Sequence, residues 1–259
     1  MIKALNTAAT GMKAQQDNMD TISNNLANVN TTGFKKSRAE FEDLLYQTQR
    51  EPGQAAGLNS ISPTGVQTGL GVRTSAVQKS FEVGSAVQTR NPLDLMIEGA
   101  GFFQLLTPDG QIAYTRDGQF RKNAQGQVVD KNGNQLQPGV TIPPEATGIE
   151  VSASGEFKVQ INGNPQTLTQ LDIVNFVNPT GLKSLGRNLY ASTPASGQPI
   201  VLRPGLQGAG FLSQGAVESS NVNIADELVE MIRAQRSFET NSKAIQAADQ
   251  MLQSVNNLR

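Results

Sequence analysis

Apolar residues recur every seven positions at the amino end of the chain. Leu5, Met12, Met19 and Leu26 form one row, and Ala8, Gln15, Ile22 and Val29 follow each of them by three. This is an a/d seam with one polar interruption, and it predicts a helix from Ile2 to about Val29. Asn28, Asn30, Thr31, Thr32 and Gly33 are poor helix formers ending in a glycine, so the helix should stop between Asn28 and Gly33. The carboxyl end repeats the pattern with Ile224, Met231, Phe238, Ile245 and Leu252, and with Ala234, Asn241, Ala248 and Val255 three residues on. Asn223 can cap its first turn, Asp226 stands three residues later as a reciprocal partner, and Glu227 adds negative charge at the positive end of the helix dipole. Asn241, polar on an otherwise apolar seam, is the kind of residue that fixes register at a cost in stability.

Between Asp94 and Gly215 the period shortens to two. Phe157, Val159 and Ile161 alternate with polar residues, as do Leu168, Leu171, Ile173, Val174 and Phe176 with one irregularity. Turn pairs punctuate the region at Asp109-Gly110, Asp117-Gly118, Gln125-Gly126, Asn132-Gly133, Ser154-Gly155 and Asn162-Gly163, which predicts a meander of short antiparallel strands. Tyr46 to Pro92 is rich in Gln, Gly, Ser and Thr and reads as an extended connector, with one or two strands near Val72 to Val83. The expected class is α+β. Residues 1–34 and 222–259 form a terminal helical domain paired in coiled-coil fashion, 35–92 the connector, and 93–216 a β-rich domain.

Composition narrows the chemistry. The 259 residues carry a formal net charge of −1, which supplies no basic field for nucleic acid or an anionic membrane. Absent cysteine removes thiol nucleophiles and disulfides, and absent histidine removes the commonest metal ligand and general base. After Lys3 no long apolar stretch follows, so neither a secretory signal nor a membrane span is expected at the start. Isolated helices of this kind are marginal until neighbouring molecules cover their remaining faces.

Few residues are candidates for catalysis or ligand binding. Glu40, Glu42 and Asp43 cluster after the first helix, yet glycosidic cleavage needs two carboxylates at a defined separation across a cleft, and a solvated face explains them better. Asp226, Glu227 and Glu230 fit helix-end electrostatics. The glycines at 69/71, 99/101 and 205/208/210 match no phosphate-binding loop, and the Asp-Gly-rich stretch 109–134 lacks the acidic spacing of a calcium loop. No catalytic residue, metal or cofactor is expected.

Asn24-Asn25-Leu26-Ala27-Asn28-Val29-Asn30-Thr31-Thr32-Gly33-Phe34-Lys35 resembles the signature of flagellar rod and hook proteins. Glu218-Ser219-Ser220-Asn221-Val222-Asn223, with Glu227-Leu228, Met231-Ile232, Gln235-Arg236 and Asn241-Ser242-Lys243, resembles the paired carboxyl-terminal signature. Glu98 to Phe103 and Tyr114 to Phe120 are similar to the family's central β region, with departures at Phe238, where tyrosine is frequent, and in Met1 to Leu5. Phe41 to Thr48, then Arg50, Pro52 and Gly53, is similar to the distal-rod branch; Tyr46, Gln47, Pro63 and Gly65 belong to the same connector.

The resemblance implies a structural subunit without enzymatic activity, exported unfolded through the flagellar secretion apparatus without a cleaved signal. It would polymerise as a rigid helical tube across the periplasm, transmit torque and enclose the export channel. The seam residues Leu5, Met12, Met19, Ile22, Leu26, Val29, Ile224, Met231, Phe238, Asn241, Ile245, Leu252 and Val255 would carry self-assembly in the inner wall. The connector would bridge neighbours, and the β domain would face the P-ring and L-ring bushings. Proximal rod proteins and the hook protein are the implied axial partners. Proximal rod or hook subunits stay open as alternatives, discriminated by Tyr46 to Gly65. Outside the family, a periplasmic cell-wall glycosidase needs a carboxylate pair in a cleft, and a monomeric β binding module would keep its function without its tails.

Overall fold

A computed structural model describes residues 2–53, 55–57, 60–61, 64–161 and 163–257. Two long helices bracket a β-rich middle. Helix α1 spans Ile2–Ala27 and stops where the sequence places its end: Asn28 accepts the Thr31 N–H at 3.0 Å, and Gly33 takes a φ of 69°. Helix α2 spans Ile224–Asn257. Asn223 Oδ1 accepts the Ala225 N–H at 3.1 Å, which satisfies a first-turn donor that has no partner within the helix. Among the described residues Asp226 makes no reciprocal capping bond; its charge lies in the first turn with that of Glu227.

The chain divides into two compact units. The first joins residues 1–26, 37–78 and 223–259; the second joins 27–36 and 79–222. In the first, the residues expected to be an extended connector fold back on themselves. Tyr46–Arg50 pairs antiparallel with Val66–Gly69, in the register Tyr46↔Gly69, Gln47↔Thr68, Thr48↔Gln67 and Arg50↔Val66. Ser37–Asp43 is hydrogen-bonded to Val72–Lys79. The latter strand also meets α1: Thr10 Oγ1 accepts the Val72 N–H at 3.4 Å, and Asp17 accepts the Thr74 hydroxyl at 2.6 Å. A polar ribbon needs its backbone partners as much as an apolar one does, and a facing strand supplies them.

The second unit holds the main core. Its largest sheet has seven strands in the order Arg121–Lys122, Val128–Val129, Gln135–Gln137, Phe103–Leu106, Ile112–Thr115, Leu189–Ala191 and Lys183–Gly186. The three strands between 121 and 137 do form a meander, but its last strand returns to pair with Phe103–Leu106. Turns close at Gly110, Gly126, Gly133 and Gly155, whose N–H groups donate to Thr107, Asn123, Asp130 and Ser152. Gly118 is the exception among the expected turns. Its carbonyl accepts the Leu95 N–H at 3.0 Å, so this stretch aligns a distant strand instead of reversing the chain. Asn162 lies outside the described residues.

A three-stranded antiparallel sheet, Ala146–Val151, Glu156–Ile161 and Asn164–Gln170, contributes Phe157 and Val159 to the same buried core as Phe103, Leu105, Phe120, Val128 and Leu136. Phe102, Tyr114, Phe176 and Tyr190 form a second cluster with edge-to-face rings, the Tyr114–Phe176 centroids being 4.9 Å apart. Among the described residues no helix is long and apolar enough to cross a membrane.

Candidate functional site

The heptad seams are the protected faces of both helices. On α1 the seam residue Ile22 is buried, and Leu5, Met12, Met19 and Leu26 are half-buried, as is Val29 just past the helix; Ala14 and Asn25 are buried beside the seam. On α2, Ala234 and Ala248 are buried, and Met231, Phe238, Asn241, Ile245 and Leu252 are half-buried between exposed neighbours. The seam starts later than its spacing suggests. Ile224 is 48% exposed, and buried Glu227 stands where the seam begins. The side chain of Val255 lies outside the described residues.

Two contacts set the direction of the helices. Asn25 Nδ2 donates to Glu227 Oε2 at 3.0 Å. Two heptads away along each helix, Gly11 faces Asn241 so closely that a Cβ on Gly11 would lie 2.9 Å from Asn241 Nδ2. As the partner number rises on one helix it falls on the other, so α1 and α2 run antiparallel. Asn241, singled out as a register residue, therefore sits over the smallest side chain of the opposite helix.

The amino-terminal signature has distinct structural tasks along its length. Asn25, buried at 1%, pairs with Ser37 like a strand residue, its amide donating to Ser37 O at 2.7 Å and its oxygen accepting the Ser37 N–H at 2.9 Å. Asn24 and Ala27 are exposed, Leu26 is on the seam, and Asn28 closes the turn after α1. Gly33 is required twice: its φ is positive, and a Cβ would lie 2.7 Å from the Asp117 backbone nitrogen. Phe34 is buried beneath the Lys79 ammonium, 5.2 Å from the ring centroid.

Five polar residues inside the motifs have large structural parts that the sequence alone does not reveal. They are Lys35, Arg116, Glu218, Asn221 and Glu227. Lys35 and Glu218 form a 2.6 Å ion pair with both side chains buried, and Arg116 Nε lies 3.6 Å from the same carboxylate. Asn221 accepts the Lys36 N–H at 2.7 Å and donates to Ser80 O at 3.0 Å. For Lys35, Arg116, Glu218 and Asn221 the motifs carry the only sequence signal, whereas Glu227 also occupies the seam position three residues after Ile224, in the row of Ala234, Asn241 and Ala248.

The connector residues occupy the polar ribbon. Tyr46 is exposed and lies over Gly69, Gln47 accepts a hydrogen bond from Lys3, and Arg50 donates to Thr64 O at 3.4 Å. A Cβ on Gly65 would lie 2.7 Å from Arg50 O and 2.8 Å from Pro52, so this crossing of chain needs glycine. Gly53 has a φ of 87° with nothing near it, and Pro63 lies outside the described residues.

Two carboxylates of the acidic cluster pair with cations, and Asp43 interacts with the Tyr46 hydroxyl. Glu40 pairs with Arg38 at 3.2 Å, and Glu42 pairs with Arg73, whose hydrogen bond holds its carboxyl below the usual range. A 620 Å³ groove in the β unit, lined by Ser152, Arg203 and Phe211 among others, contains the single carboxylate Glu156.

Comparison with known proteins agrees with the motifs. Residues 5–35 match the model described as "Flagella basal body rod protein", 96–159 the "Flagellar hook protein FlgE/F/G D1 domain", and 213–258 the "Flagellar basal body rod FlgEFG protein C-terminal". The chain is 49% identical to the flagellar basal-body rod protein FlgG of Buchnera aphidicola subsp. Schizaphis graminum, and 49% to that of Caulobacter vibrioides; each alignment spans 100% of both chains. The Bacillus subtilis FlgG is 38% identical, again over 100% of each chain. A crystal structure of the Helicobacter pylori flagellar hook protein FlgE2 matches 71% of this chain and 43% of its own, at 11% identity and a TM-score of 0.25. Since the sequence similarity runs from end to end, across the helices and the β units alike, the chain belongs to the family of flagellar basal-body rod proteins, which are structural subunits of the rod.

Proposed function

We propose that this chain is a distal-rod subunit that polymerises through its terminal helices into a stiff helical tube, crossing the periplasm, transmitting torque and enclosing the export channel. The observation that carries this reading is on α2. Ile224, Leu228, Val229 and Ile232 are each 43–50% exposed beside a seam already covered within the chain. An apolar stripe left open beside a filled seam suits a sister copy in a heterologous contact, which repeats without closing and so builds filaments.

On this reading the antiparallel α1–α2 pair packs in coiled-coil fashion in the inner wall, with Leu5, Met12, Met19, Ile22, Leu26, Val29, Met231, Phe238, Asn241, Ile245 and Leu252 at the seam. Ile224 belongs to the contact between copies. The ribbon bearing Tyr46, Gln47, Arg50, Pro52, Gly53 and Gly65 bridges neighbouring subunits and adds stiffness. The β unit faces the P-ring and L-ring bushings, and the tube's ends meet proximal rod and hook proteins. Subunits reach their place through the flagellar export apparatus.

Electron microscopy of the purified chain at rising concentration tests this proposal. Straight tubes are expected from the full chain and none after removal of residues 1–30 or 225–259. Tubes of normal form built from tail-less chains, or a full chain that stays monomeric at millimolar concentration, would overturn it.

A further inference from the structure

Three stretches of chain converge on one carboxylate in the β unit. Glu218 Oε1 accepts from Lys35 Nζ at 2.6 Å and from the Gly84 N–H at 2.8 Å. Its backbone carbonyl accepts the Gly33 N–H at 2.8 Å, and its Oε2 lies 3.6 Å from Arg116 Nε. Lys35 Nζ also donates to Glu82 O at 2.5 Å, while Arg116 donates to Gly99 O at 2.7 Å and lies over the Phe102 ring. Burial pushes both Lys35 and Arg116 below their ordinary pKa values, against the pull of Glu218. Tyr190, pushed up to about 12 chiefly by burial, stays neutral and supplies no second anion.

Such a cluster behaves asymmetrically. A buried ion pair adds little net stability, but removing one member strands the other charge in a low dielectric. The two segments that carry Lys35 and Glu218 are therefore either both docked or both released. They also lie outside the main core, whose buried residues all fall between Leu95 and Leu212. The core can stay closed while they open.

We infer that Lys35, Arg116 and Glu218 form a latch that joins the segment following α1 to the segment preceding α2, and that opens as one piece while the rest of the β unit remains folded. Latched, the cluster holds the roots of the two terminal helices side by side within the β unit, with Asn221 adding the Lys36 and Ser80 bonds. Open, it frees both roots together. Local units of this kind exchange their amides independently of global unfolding. The latch is a property of the single chain and does not depend on polymerisation.

Hydrogen exchange by mass spectrometry on the dilute full-length protein tests it, comparing the natural chain with Glu218→Gln. Peptides covering 27–36, 80–88 and 216–222 should exchange at least about tenfold faster in the variant, the two end segments accelerating to the same extent, as the loss of a buried charge partner requires. Peptides covering 103–106, 135–137 and 156–161 should keep their protection. Unchanged exchange overturns the latch, and so does an equal acceleration that includes the core strands, because the cluster would then be one more contributor to global stability. Should Glu218→Gln not yield folded protein, Lys35→Met, which leaves Arg116 facing the carboxylate, is read by the same criteria.

Discussion

Gly33 occupies a left-handed backbone conformation with the Asp117 backbone against its α-carbon, so a side chain there meets both strain and a clash that no rotamer relieves. Gly33→Ala should lower the stability of the full chain by at least about 2 kcal/mol, read from denaturant unfolding followed by circular dichroism. A loss below about 0.5 kcal/mol would mean that this turn relaxes freely. The residue scale is also where the sequence was least legible. Gly33 could be read as a helix stop from its neighbours, but its contact with Asp117 spans 84 positions, as the two numbers show. Lys35 and Glu218 are separated by 183, and nothing next to either announces a partner. Charged residues are normally solvated, so local reasoning places them outside unless the whole fold is known.

At the scale of elements, the helices were the most legible part, because a seven-residue apolar repeat has one structural meaning and needs no partner to be recognised. The exception is the first position of the α2 seam. Ile224 fits the repeat, yet Glu227 takes the buried place because Asn25 is there to bond it. The connector was harder to read. Every side chain of Tyr46–Arg50 is exposed, so its strand carries no inward and outward alternation, and pairing with Val66–Gly69 leaves no periodic trace. The order of the seven-stranded sheet was hidden for a related reason, since pairing of Gln135–Gln137 with Phe103–Leu106 depends on contacts far apart in sequence.

Helix pairing makes its own prediction. Glycine inside a helix costs about 1 kcal/mol relative to better helix formers, so Gly11→Leu would stabilise an unpartnered α1. Opposite Asn241 it should do the reverse, because the added side chain enters space the amide already fills. Circular dichroism at 222 nm should show a lower thermal midpoint for the variant. A midpoint raised by several degrees would show that the helices do not meet at Gly11.

For the whole molecule, the contrast between the two units explains a good deal. The β unit has a contiguous buried core, whereas on α2 most positions around the seam are exposed. A helix in that state relies on tertiary contacts for its persistence, since its own hydrogen bonds are marginal in water. The end-to-end similarity to rod proteins fits such a helix, and on the function proposed above its remaining faces meet other copies. Fold class and family were therefore readable from repeats and motifs, while the pairing of the two helices with each other was not, because it joins residues more than 200 positions apart, as Asn25 and Glu227 are.

The central claim is that α2 acquires its stability from sister copies, and amide exchange along Ile224–Asn257 measures that directly. In dilute monomer the helix should exchange within seconds to minutes, and in assembled tubes its protection should rise by at least about a hundredfold while that of the β core barely changes. Equal protection of α2 in monomer and tube would contradict the account.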